Sequence, residues 1–216
     1  MAITHLFFDL GSTLLDETAA VQARVERTVE RLRGTPQECS LKEFWARMDR
    51  AARREAHPYA LVMQLQGGAG WEPWPKNLEQ VYPGTPELLA QLRKTYRLGV
   101  IANQHRGIRE RLEAYGLAVY FDDVASSAEE GVAKPNPRIF ELALSRAGCA
   151  PAQAVMIGDR LDNDVAPAKR LGMRTVWVRQ GWGGLAELPG EEFRPDAAVS
   201  CLADLPAALA SLERSG

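Results

Sequence analysis

Short apolar runs that stop abruptly on a polar residue punctuate this chain, and they narrow its fold more than any other feature. The first lies within residues 3–10, where Leu6, Phe7 and Phe8 are unbroken, and ends at Asp9 ahead of the turn residues Gly11 and Ser12. Others span residues 98–102, ending at Asn103, 154–157, ending at Gly158 and Asp159, and 175–178, with a weaker one at 197–199. A strand covered on both faces reads as a continuous apolar run rather than as alternation. Between the runs, apolar residues recur at helical spacing: Leu88, Leu89 and Leu92; Ile108, Leu112 and Tyr115; Ile139, Phe140, Ala143, Leu144 and Ala147; Val165, Ala168 and Leu171, stopped by Gly172. Strands alternating with helices predict an α/β fold, a doubly wound, Rossmann-like parallel sheet. Ligands of such sheets sit at the carboxyl ends of the strands, where Asp9, Asn103 and Asp159 are expected.

Residues 16–80 break the alternation. Val21, Val25, Val29 and Leu32 share one helical face, and Leu41, Phe44, Trp45, Met48, Ala51 and Ala52 share another, with Ser40 as its N-cap. The glycines at 67, 68 and 70 and the Trp71–Pro75 stretch then predict irregular chain. The expected organisation is a core of residues 1–15 and 81–216, interrupted by a small α-helical cap over 16–80.

Composition limits the alternatives. Across 216 residues, 46% are hydrophobic and 25% charged, so the chain has the material for a packed core and is not disordered. A net charge of −2 argues against a dedicated nucleic-acid binder. Cys39, Cys149 and Cys201 are isolated and odd in number, which suggests thiols rather than a disulfide framework. The N-terminal apolar run is too short for a signal peptide or a membrane span, so a cytoplasmic protein with no membrane partner is expected.

The strand ends carry the chemistry. Asp9 stands beside a turn whose backbone N–H groups suit an anion. Thr13 is placed to fix that turn through its hydroxyl. Lys134 lies between a loop and a helix opened by prolines 135 and 137, and Gly158, Asp159 and Asp164 follow the third run, with Gly158 allowing close backbone approach to a ligand. Carboxylates together with backbone and water oxygens are the preferred surroundings of Mg²⁺, and a lysine facing them would balance an anionic substrate.

Asp9 with Thr13, then Asn103, then Lys134-Pro135, then Gly158-Asp159 with Asp164, in that order, resembles the haloacid dehalogenase-like (HAD-like) hydrolase superfamily. The resemblance covers residues 3–15 and about 82–205, and the inserted helices match the position of the superfamily's cap. It implies that Asp9 is a nucleophile forming an aspartyl-phosphate and that Lys134 neutralises the nucleophile and the transferring group. It implies Mg²⁺ held by Asp9, Asp159, Asp164 and the backbone carbonyl of Gly11. The phosphate would be bound by Gly11, Ser12, Ala102, Asn103 and Lys134. The implied activity is hydrolysis of a small phosphorylated metabolite, by a monomer or homodimer.

Two positions depart from the pattern. The superfamily's phosphatases carry a second Asp, as general acid/base, where this chain has Gly11, and a hydroxyl residue where it has Ala102. A weakly active or non-catalytic phosphoryl-binding relative is therefore an alternative. The dehalogenase branch also lacks the second Asp, but it has an aromatic residue at that position and does not need the acidic cluster kept here.

Other residues carry plainer expectations. Asp162 is expected in solvent at a helix start, and Gln104, His105 and Arg106 at a solvated helix start. His5 and His57 lack partners at metal-ligand spacing. The many cap arginines read as a salt-bridged solvent face, the sharper alternative being that one of them points at the site and selects an acidic substrate. Trp71 and Trp74 would line the substrate entrance or pin the cap to the core.

Overall fold

The computed structural model describes residues 2–54, 72–187 and 190–214. His57, the glycines at 67, 68 and 70, and Trp71 lie outside them. Six parallel strands form the main sheet in the order β5-β4-β1-β6-β7-β8. They are β1 (His5–Phe8), β4 (Arg97–Ala102), β5 (Asp123–Ser126), β6 (Ala154–Gly158), β7 (Arg174–Val178) and β8 (Ala197–Val199). Two further strands, β2 (Leu15–Asp16) and β3 (Gln80–Val81), pair antiparallel, with Leu15 opposite Val81. The expected runs thus became strands, and β5, whose short run ends in polar residues, joined them at the sheet edge.

Alternate residues of the central strands feed two apolar layers, as the strand period of two requires. Leu6 and Phe8, Val100 and Ala102, and Val155 and Ile157 face one layer. That side is covered by helices Thr85–Leu92, Ile108–Ala114 and Leu205–Arg214. Phe7, Ile101, Ala154 and Met156 face the other, packed with Ile139, Phe140, Ala143 and Leu144 of helix Pro137–Ala147. That helix starts well because Asn136 accepts a 3.0 Å hydrogen bond from the Arg138 amide and Pro137 occupies its first turn.

The interrupting segment forms two helices, α1 (Thr18–Arg31) and α2 (Leu41–Arg54). Val25, Leu32, Cys39, Phe44 and Met48 give them an apolar cluster of their own. Ser40 opens α2 as expected: its backbone N–H and its hydroxyl both donate to Glu43 at 2.8 Å, and its Oγ accepts from the Glu43 amide at 3.2 Å, a reciprocal cap. The pair is tied to the loop after β7, where Trp45 stacks on Trp182 at 5.4 Å and Arg53 bonds Glu187 at 2.7 Å. Among the described residues no helix is long and apolar enough to cross a membrane.

Gly99 marks the tightest place in the core. A Cβ there would come within 2.8 Å of the buried Phe7 ring on the neighbouring strand. Gly99→Ala should therefore destabilise the protein by about 1–3 kcal/mol, the usual cost of overpacking. Urea unfolding measures this, and an unchanged midpoint would mean that the ring moves aside freely.

Candidate active site

Strand order brings the functional groups together. β1 lies between β4 and β6, and the chain winds outward from it in both directions, so the carboxyl ends of these three strands border a topological switch point. Asp9 follows β1 and is fixed by its own amide, which donates to Ile157 O at 2.9 Å. Asp159 follows β6, and its carbonyl accepts a 2.6 Å bond from the Trp177 indole of the next strand. Asp164 sits in a π-helical turn, Leu161–Val165. The Arg160 carbonyl there accepts from the amides of both Asp164 and Val165, and the Arg160 amide donates to Asp164 Oδ2 at 3.0 Å. This wide turn directs the Asp164 side chain back into the site.

Lys134 joins these groups. Its ammonium donates to Asp9 Oδ1 at 2.7 Å and to Asp164 Oδ1 at 2.6 Å, and the residue is buried. Asn103 positions it: Asn103 Nδ2 donates to the Lys134 carbonyl at 2.8 Å and the Lys134 amide donates to Asn103 Oδ1 at 2.7 Å. The Asn103 side chain thus grips the lysine backbone. One ligand atom from each of Asp9, Asp159 and Asp164 can be chosen so that all lie within 4.8 Å of one another.

Three close carboxylates share one ammonium, and burial sharpens their repulsion. Burial, then Asp9 and Asp164, raise the Asp159 carboxyl well above the usual range. Burial also lifts Asp164 to about 6 despite Lys134, with Asp9 adding to the rise. Burial works against the Lys134 charge, but Asp164 and Asp9 outweigh it and raise its pKa. The unbalanced negative charge and all-oxygen donor set fit a hard divalent cation such as Mg²⁺.

These groups open into a cavity of about 910 Å³ between the core and the helical pair. Gly11, Ser12, Asn103, Gln104, His105 and Arg106 border it from the core. Ala102 does not: it is fully buried in the sheet. Arg24 is the arginine of α1 that reaches the cavity, with its guanidinium over the Trp74 ring at 5.6 Å. Trp74 therefore both lines the cavity and packs against α1.

Several expectations are corrected. Thr13 is buried, and its hydroxyl has no hydrogen-bond partner among the described residues, so burial holds the side chain instead of a bond across the turn. Ser12 takes the left-handed conformation in that turn, with φ 54°. Asp162 is turned from solvent by Arg160, whose Nε donates to it at 3.1 Å. The space a side chain on Gly158 would need is filled by the Asp164 carboxyl and not by room for a ligand.

Glu17 is the cavity residue that the sequence did not signal. It precedes α1, and burial, followed by the nearby Glu79 charge, raises its carboxyl to about 8 even though Arg111 opposes the shift. Arg111 Nη2 lies 3.7 Å from Glu17 but is claimed by the fully buried Glu79 side chain, which also accepts hydrogen bonds from Trp74 and, at 2.6 Å, from the Tyr115 hydroxyl.

The site is thus a cluster of acidic groups around a buried lysine at the carboxyl edge of a doubly wound α/β sheet. The haloacid dehalogenase-like hydrolase family matches residues 3–172, and this chain belongs to it. Glyceraldehyde 3-phosphate phosphatase of Pyrococcus furiosus is 29% identical over 98% of this chain and 94% of its own length. Among solved structures, an HAD phosphatase from Thermococcus onnurineus is 26% identical with a TM-score of 0.65, covering 96% of this chain and 98% of that one. A 2-haloacid dehalogenase from Pseudomonas syringae pv. Tomato DC3000 is likewise 26% identical, with a TM-score of 0.63 over 97% of this chain and 99% of its own.

The raised Glu17 carboxyl makes stability depend on pH. A carboxyl that holds its proton to about 8 in the folded chain, but only to about 4.5 unfolded, favours folding fully below 4.5 and loses that contribution as pH rises through 8. Glu17→Gln should therefore gain stability relative to wild type between these limits, by at most about 1.4 kcal/mol per pH unit. Urea unfolding across pH checks this, and parallel curves would show an ordinary carboxyl.

Proposed function

We propose that this protein is a Mg²⁺-dependent phosphatase of small phosphorylated metabolites, acting through an aspartyl-phosphate on Asp9, with residues 16–80 as a cap over the site. The observation that carries this reading is the contact of Lys134 with both Asp9 and Asp164, inside a cluster with Asp159. Lys134 occupies Asp9 Oδ1, which leaves Oδ2 to attack phosphorus and fixes the direction of approach. The ammonium also faces the charge that spreads over the phosphoryl oxygens during transfer. Asp9, Asp159 and Asp164 would hold the ion, which when bound supplies positive charge against those oxygens. Asn103 keeps Lys134 in register, and the loop amides at Gly11 and Ser12 would bind the phosphate. The phosphatase names among the relatives support the reaction class.

Cavity size favours a metabolite over a macromolecule. A pocket of about 910 Å³ beneath the helical pair matches the range of small-molecule sites.

The dehalogenase reading has the structural likeness in its favour, but it gives no account of why Asp159 and Asp164 stand beside Asp9.

Screening phosphorylated metabolites for phosphate release, with and without Mg²⁺, tests the proposal. Wild-type turnover should vanish on chelation and return with the metal. Asp9→Asn should lower turnover by more than about 10³-fold while the fold stays intact, because an amide is a poor nucleophile. Asp159→Asn should weaken Mg²⁺ binding at least about tenfold by calorimetric titration, since it removes an anionic ligand. Full turnover by Asp9→Asn would place the chemistry elsewhere, and halide release from a 2-haloacid without metal would favour the dehalogenase reading.

A further inference from the structure

Position 11 lacks the proton-carrying side chain that the reaction needs, yet the space in front of it is not empty. A Cβ on Gly11 would come 2.6 Å from Glu17 Oε1 and 2.7 Å from Oε2. The Glu17 carboxyl therefore fills the volume into which a side chain from position 11 would grow, and it borders the same cavity as Asp9. The local fold explains the return of the chain. The Leu14 and Leu15 amides both donate to the Leu10 carbonyl, at 2.9 and 3.0 Å, and Gly11 bridges to Leu15. This tight loop brings residue 17 back over residue 11. On its far side Arg111 holds Glu79, which sets the wall behind Glu17.

We propose that Glu17 is the general acid/base of this site, supplied from the start of α1 in place of a side chain at position 11. The assignment rests on the reading of Asp9 as the nucleophile. In the first step an Asp9 oxygen bonds to phosphorus, the P–O ester bond breaks, and the leaving oxygen takes the Glu17 proton to depart as an alcohol. In the second step water attacks the phosphorus of the aspartyl-phosphate and gives its proton to the Glu17 carboxylate. The bond from phosphorus to Asp9 breaks, releasing inorganic phosphate and restoring both carboxyl groups to their starting forms.

The assignment changes what a carboxyl engineered at position 11 should do. Gly11→Asp alone forces two carboxyls into one space, so it should lower turnover in spite of the added acid. In Glu17→Ala that space is vacated, and the double variant Gly11→Asp/Glu17→Ala should exceed Glu17→Ala in turnover by at least about tenfold, part of the usual 10²–10⁴-fold range of acid–base catalysis.

The test compares a primary alkyl phosphate with p-nitrophenyl phosphate, both with Mg²⁺, using wild type, Glu17→Gln and the position 11 variants. Glu17→Gln should lose about 10²-fold or more in kcat on the alkyl ester, whose leaving alkoxide needs the proton. On the aryl ester it should release one equivalent of nitrophenolate in a burst, then turn over slowly, because only the second step still requires the base. A purely structural role would slow both substrates alike and give no burst. If Glu17→Gln fails to fold, Glu17→Asp, which withdraws the carboxyl by one methylene, bears the same contrast. Wild-type turnover with Glu17→Gln within threefold on the alkyl ester overturns this assignment alone. Equal losses on both esters without a burst, or no rescue in the double variant, also overturn it. Wild type that releases no phosphate from either ester, or from any metabolite in the screen, overturns the phosphatase reading and this assignment with it.

Discussion

The Lys134 ammonium, wedged between Asp9 and Asp164, is the interaction on which the site depends. A lone charge as deeply buried as this one would be expelled or neutralised, and a lysine there persists only because two carboxylates face it. The carboxylates in turn come from separate stretches of chain, one after β1 and one in the turn after β6. Holding them within reach of one ammonium therefore requires β1 and β6 to be neighbours in register, as they are, with Phe8 opposite Ile157. The central sheet is thus the frame that sets charge separation at the site. Asn103 adds the third strand to the arrangement by fixing the Lys134 backbone from the end of β4.

One ammonium does not balance three carboxylates. Burial first, and then the residual charge, explain why Asp159 and Asp164 both resist ionisation. Arg160 offsets part of the surplus at Asp159, although its guanidinium is also paired with Asp162. The same cavity is also lined by the positive side chains of Arg24 and Arg106. Such a distribution suits a ligand whose anionic group is drawn inward by Lys134 and a cation together.

Much of this architecture was legible in the sequence because burial on both faces writes itself as an unbroken apolar run. β1, β4, β6 and β7 could be read in that way, and the group beyond each of the first three could be placed at its carboxyl end. β5 was missed because only Val124 and Ala125 lie between Asp123 and Ser126, too short a run to stand out. β2 and β3 are two residues each and owe their pairing to the loop at residues 10–15 rather than to pattern. Site geometry beyond strand ends was less legible. Asn103 borders the cavity, but the grip of its side chain on the Lys134 backbone, 31 positions away, has no signal in the sequence. Asp162 reads as a solvated helix start until its pairing with Arg160 is seen.

Glu17 lies at the limit of what sequence can convey. Beside Asp16 and ahead of a helix, it looks like an ordinary acidic residue near an N-terminus. Its importance comes from an absence six residues earlier: without a Cβ at Gly11, the volume next to Asp9 is open to a carboxyl arriving from elsewhere. The two positions make sense only together, since either a side chain at 11 or the Glu17 carboxyl can occupy that space, but not both. A functional group can therefore move along the chain while keeping its place in the site, provided that the residue it replaces gives up its volume. Motif comparison by position registers the loss at 11 as a defect. The packing around Gly11 shows it instead as the condition for bringing Glu17 in, and it places that carboxyl on the segment that leads directly into the helical pair.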